Sequence, residues 1–141
     1  MDDLVLAARR TLIDGGYTCV VYQGGEVLTS RERGVKPLIE LLNSGRTLTG
    51  AVAADKTVGA GAAHLYVLLG VSALWANVVS ESAKAILDAA GIALTCGECV
   101  PHIINRRGDG ICPIENAVKG AKTSTEAYTL ILAALANLQG G

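Results

Sequence analysis

The sequence predicts an α/β chain folded as a three-layer α/β/α sandwich, with a mixed five-stranded sheet and an N-terminal hairpin. Three observations carry this. From Val35 to Cys96, segments of helical period alternate with short apolar runs rich in β-formers. Gly45, Gly70 and Gly91 close the successive helical segments. Ahead of them, two short β-rich runs meet at Gly24-Gly25, a pair suited to the positive φ angles of a tight hairpin turn.

"DDLVLAARRTLIDGG" opens the chain with Leu4, Val5, Ala8, Leu12 and Ile13 at helical spacing and stops at Gly15-Gly16. "YTCVVYQ" and "EVLTS" form the hairpin. "VKPLIELLNSG" reads as a helix, "TLTGAVAAD" as a strand, "VGAGAAHLYVLLG" as a helix and "ALWANVV" as a strand. Ser80 caps the helix "ESAKAILDAAG", with Glu81 at the positive end of its dipole, and "IALTC" supplies a last strand. Parallel strands require crossovers, so helices are expected on both faces of the sheet. A loop of about a dozen residues follows Val100, long enough to suggest a purpose. It ends at Cys112-Pro113, where the short helix "PIENAVKG" begins with proline at its first position. The final helix starts with a capping box, Thr123 to Glu126, and sets Tyr128, Ile131, Leu132, Leu135 and Leu138 on its apolar side.

At 141 residues the chain is expected to form one domain, 1–141, able to bury a core without disulfides. Twelve basic and thirteen acidic residues leave a net charge of -1, which offers no electrostatic footprint for nucleic acid or an anionic membrane. No Phe and one Trp leave little for base stacking. The acidic start "MDDLVLAARR" is unlike a secretory signal, so a cytoplasmic location with reduced thiols is expected. Thr57–Ser80 is twenty-four residues without a formal charge, but Gly59, Gly61, His64, Gly70, Ser72 and Asn77 interrupt it. It reads as a buried helix and a buried strand in place of a membrane span.

Three of the four cysteines and one of the two histidines fall within "TCGECVPHIINRRGDGICPIE". As ligands of one zinc, Cys96, Cys99, His102 and Cys112 match no common finger spacing. If Cys96–Cys99 stay extended, a three-residue step points their sulfurs to opposite faces, and Pro101 stiffens the path to His102. No metal and no cofactor are expected. "CGEC" also lacks the following helix of a thioredoxin-like motif. Cys112 stands apart, because an N-cap thiol beside unpaired N–H groups is favoured as thiolate, which makes it a candidate nucleophile or redox centre.

The element order, and the segments "RERGVKPLIELL", "GAVAADKTVGAGAA", "VVSESAKAILDAAGI" and "VPHIINRRGDGICPIE", resemble a small prokaryotic family of unknown function with a cytidine-deaminase-like fold. The deaminases hold zinc through H-x-E or C-x-E and P-C-x-x-C at two helix starts. Here those places read "TSRERGVKP" and "ADKTVGAGA", without His or Cys, so the resemblance implies a domain that has lost its metal. It also sets Glu32 near the place of the proton-shuttling glutamate.

What remains is a cleft between helix starts. Asp55 and Lys56 stand at a strand exit, and Gly59 and Gly61 permit close backbone approach, although tight helix packing alone also explains the two glycines. His64 is expected to be a satisfied core or interface residue. The leading expectation is a small anionic or nucleotide-like ligand. Lys56 and the following N–H groups hold its charge, Glu32 and Asp55 bind polar groups, and Asn105, Arg106 and Cys112 close over it from the loop. The alternatives are an enzyme using Cys112, and a non-catalytic protein acting as a homodimer or larger assembly through the apolar final helix and Thr57–Ser80.

Overall fold

The structure, a computed structural model, describes residues 3–32, 34–104, 108 and 110–140, the last three by backbone alone. Its elements run α1 (Asp3–Gly15), β1 (Cys19–Gln23), β2 (Glu26–Ser30), α2 (Lys36–Asn43), β3 (Val52–Val58), α3 (Ala60–Leu69), β4 (Ala73–Ser80), α4 (Glu81–Ala89), β5 (Ala93–Val100), α5 (Pro113–Ala117) and α6 (Ser124–Gly140). The five strands form one sheet in the order β2-β1-β3-β4-β5. β1 is antiparallel to β2 and β3, while β3, β4 and β5 are parallel.

The layers are unequal. α1 alone covers one face, packing Val5, Ala8 and Leu12 on Val20, Val52, Ala54 and Trp75. On the other face Val21, Ala53, Leu74 and Ala76 meet Leu38 of α2, most of α3, Leu87 of α4 and Ile131 of α6. The two parallel crossovers step the same way across the sheet, so connections of one hand land on one face, and α3 and α4 lie side by side. α3 becomes the centre of the molecule, with eight of its ten residues buried. A helix apolar on all sides belongs in such a place. That accounts for Thr57–Ser80: Gly70, at φ +85, ends α3 and the chain returns as β4. Among the described residues no helix is long and apolar enough to cross a membrane. Most of the apolarity of this stretch is consumed inside the fold, with Val67, Leu68 and Val78 left half-buried.

Several boundaries differ from expectation. The strand expected over Thr47–Asp55 begins at Val52 and runs to Val58, because its pairing with β4 continues through Thr57 and Val58. Leu48–Ala51 instead forms a turn, closed by Ala51 N–H on Leu48 O at 2.9 Å, with Leu48 N–H bonded to Leu69 O at 2.7 Å and Gly50 at φ +77. β5 likewise extends past Cys96 to Val100, in register with β4 as far as Ser80. On α1, Leu4 and Ile13 face solvent at 53% and 56% exposure, since a helix alone on its face seats only a narrow stripe. On α6, Leu132 is exposed while Ala127 and Ile131 are buried, and the side chain of Leu138 lies outside the described residues. Both expected caps form: Ser80 Oγ accepts from Ala83 N–H, and Thr123 Oγ1 from Glu126 N–H, each at 3.1 Å.

Candidate functional site

The start of α3 is the natural place to look for a bound anion. Gly59 is its N-cap and has no side chain to offer, so the first N–H groups need another acceptor. That acceptor comes from the chain itself. Glu115, on α5, is 6% exposed and reaches under the helix. Its Oε2 accepts from Ala60 N–H at 2.7 Å and from Ser80 Oγ at 3.1 Å, while Oε1 accepts from Ile103 N–H at 3.0 Å. Three donors compensate one buried carboxylate, which sits where the dipole of α3 is positive.

Gly59 and Gly61 serve this docking. A Cβ on Gly59 would lie 2.4 Å from Glu115 Oε2, and one on Gly61 would lie 2.5 Å from Ile114 Cγ2. α5 can press onto α3 only because both positions lack a side chain. The loop before α5 is pinned as well, by an antiparallel bridge between Ile104 and Ile111 and by Cys112 N–H on Ile103 O at 2.8 Å.

Asp55 and Lys56 are not at a helix entrance, because β3 continues past them. Asp55 is 8% exposed and pairs in register with Cys19. Its Oδ2 accepts from the Tyr66 hydroxyl at 2.6 Å and its Oδ1 from Thr57 N–H at 3.2 Å, and Cys19 Sγ lies 3.3 Å from the same hydroxyl. Burial pushes the Asp55 carboxyl up to about 7. Burial, then the nearby Asp55 charge, pushes the Cys19 thiol up to about 12 and the Tyr66 phenol well above its usual range. Lys56 is exposed, with its backbone N–H bonded to Thr18 O at 2.9 Å. Glu32 is exposed beyond β2 and ion-paired with Lys36 at 3.4 Å. The predicted site residues are therefore divided: Asp55 in the core, Lys56 and Glu32 at the surface, Gly59 and Gly61 under α5. Asn105 and Arg106 lie outside the described residues.

Cys112 does occupy the N-cap of α5, half-buried, but its side chain caps nothing and the helix has five residues. Cys96 and Cys99 are exposed on the edge strand. The strand stays extended through Cys96–Cys99, in register with Ala76–Val79 of β4. Distance separates them. Three extended residues span roughly 10 Å, whereas two thiolates on one zinc sit at most about 4.6 Å apart. Among the described residues no three His, Cys, Asp or Glu side chains group as metal ligands.

Beside the Glu115 contact a cleft of about 610 Å³ opens between α3, α4 and the α5–α6 connection. His64 and His102 line it, as do Lys119 and Lys122. His64 Nδ1 is 3.0 Å from Ser124 Oγ, and burial lowers its pKa, so it is a satisfied, neutral histidine near pH 7. Neither lysine belongs to an ion pair among the described residues. Sequence reasoning missed Glu115 and these lysines as site residues. The available signal was Glu115 in the first turn after Cys112-Pro113, which points only to its own short helix.

Fold and site together define a three-layer α/β protein whose core helix is capped by a distant carboxylate beside an open, lysine-bearing cleft. Residues 7–135 match the family model described as TM1506, Domain of unknown function (DUF1893), and the chain belongs to that family. It is also similar to the crystal structure of a DUF1893 family protein (TM1506) from Thermotoga maritima, with a TM-score of 0.87 and 24% identity over 94% of this chain and 90% of that one. The fold is thus shared across that likeness. No curated protein matches the chain.

Proposed function

We propose that this is a metal-independent, cytidine-deaminase-like domain that binds a small anionic or nucleotide-like ligand, held in the cleft between α3, α4 and the α5–α6 connection. The single observation behind it is that Lys119 and Lys122 line a cleft of about 610 Å³ with no ion-pair partner among the described residues. That volume falls within the range of small-molecule sites. The deaminase-like part rests on the helix, hairpin and alternating order of elements, and the metal-independent part on the residue types at the two helix starts. Because Glu115 already uses Ala60 N–H, the ligand is assigned to the cleft and not to Lys56, Gly59 and Gly61.

Thermal-shift measurements with nucleotides, sugar phosphates, and aryl and acyl acids and phosphate esters test this on wild type, Lys119→Ala/Lys122→Ala and Lys56→Ala. Wild type and Lys56→Ala should respond alike and the double variant should not. Loss of response in Lys56→Ala alone would return the ligand to the end of β3, and no response in any protein would end the binding reading.

A further inference from the structure

The cleft has a composition that narrows its ligand. Its floor is apolar, formed by Val67 of α3 and by Ala85, Ile86 and Ala89 of α4, and its charged wall is formed by Lys119 and Lys122. Glu115 also lines it, but that carboxylate is compensated by Ala60 N–H, Ile103 N–H and Ser80 Oγ. His64 adds no positive charge near neutrality, because burial favours its neutral form and Ser124 holds its Nδ1. Among the described residues the positive charge offered to a ligand is thus chiefly that of the two lysines, with His102 also in the lining.

Among the described residues the lining contains no Asn, Gln, Tyr or Trp. A nucleobase is usually read by amides on its edge or by an aromatic ring against its face; the described lining supplies no amide, and of its two histidine rings His64 is already held by Ser124. A polyhydroxylated body finds partners at Ser82, Thr123, Ser124 and His102, but hydroxyls laid on the alanine, valine and isoleucine floor would lose water without gaining any. An apolar body has the opposite balance: it gains from covering the floor and needs polar partners only at one end.

Resting on the cleft reading, we infer that the ligand is an amphipathic anion, an aliphatic or aryl body lying on Val67, Ala85, Ile86 and Ala89 with one carboxylate or phosphate-monoester head between Lys119 and Lys122. This divides the anionic class. Aryl and acyl acids or phosphate esters fit best, ahead of sugar phosphates and nucleotides.

Isothermal titration of the full chain with four probes tests it: benzoate, phenyl phosphate, ribose 5-phosphate and inorganic phosphate. Binding of benzoate or phenyl phosphate is expected to exceed that of the other two roughly tenfold or more, the discrimination an apolar contact supplies. Benzoate against phenyl phosphate separates the two head groups. Lys119→Ala/Lys122→Ala should weaken binding of the preferred probe. So should Ala89→Glu, which places a charge on the exposed surface of α4 without touching the core. Lys84→Ala, exposed on α4 and outside the lining, serves as control and should bind as wild type does. Ribose 5-phosphate binding as tightly as phenyl phosphate would overturn this inference while leaving an anion site in place. Failure of all four probes would remove this inference, and with it the anion site unless nucleotides still give a thermal shift; binding indifferent to the lysine pair and to Ala89→Glu would put the site elsewhere.

Discussion

Glu115 Oε2 accepts a 2.7 Å hydrogen bond from the backbone N–H of Ala60, fifty-five positions earlier in the chain. This contact ties α5 to the start of α3, and through Ser80 and Ile103 to the end of β4 and the loop that follows β5. It gives the core helix the acceptor that its glycine N-cap lacks.

Removing that acceptor should therefore be costly. Glu115→Ala leaves buried donors unpaired and is expected to lower stability by about 3 kcal/mol in urea unfolding. Gly59→Ala should also destabilise, because its Cβ would meet the carboxylate at 2.4 Å. In a Glu115→Ala background the Gly59→Ala cost should shrink markedly, since the atom it strikes is gone. Strictly additive losses would show that the two residues do not meet.

The Asp55 carboxyl makes stability fall toward neutral pH. Burial raises its pKa from 3.8 to about 7, so the folded state holds a proton that the unfolded chain releases. Its contribution is full below 3.8 and is lost as pH rises through about 7, on the order of 4 kcal/mol over that window. In Asp55→Asn the amide and the Tyr66 hydroxyl can still pair, and the urea midpoint should depend much less on pH between 4 and 8. An equally steep dependence in the variant would place the titration in another group.

Thiol labelling should sort the cysteines by environment. Cys19, with its thiol pushed up to about 12, should react only after unfolding, while exposed Cys96 and Cys99 should label in the native protein. Cys112, half-buried at the α5 N-cap, is expected to lag behind the exposed pair. A Cys112 rate exceeding both, read by mass spectrometry, would favour the nucleophile reading.

The face of α6 is testable with adjacent residues. Ile131→Ala empties a fully buried position and should cost about 3 kcal/mol. Leu132→Ala, at 40% exposure, should cost a small fraction of that, and a reversed order in chemical unfolding would mean the helix is rotated.

Local features were legible wherever the signal was local. The stop at Gly70, the Ser80 and Thr123 caps and the Gly24-Gly25 hairpin each depend on side chains within a few positions, and each is found. Strand ends were not legible in the same way. β3 runs on to Val58 and β5 to Val100 because β4 supplies partners, and a strand's length is set by its neighbour as much as by its own residues. Leu132 and Ile131 differ in burial for a similar reason: both suit an apolar face, and only the position of α3 decides which meets it.

By itself the sequence determined the α/β alternation, the order of elements and the residue types at the two helix starts, because periodicity, glycine stops and composition are properties of adjacent residues. Only the tertiary structure decided that Glu115 caps α3, that Asp55 is sealed beneath Tyr66, and that Lys119 and Lys122 share a cleft with α3 and α4. Those relations join groups far apart in the chain, and they exist only once burial brings the elements together and forces each buried polar atom to find its partner.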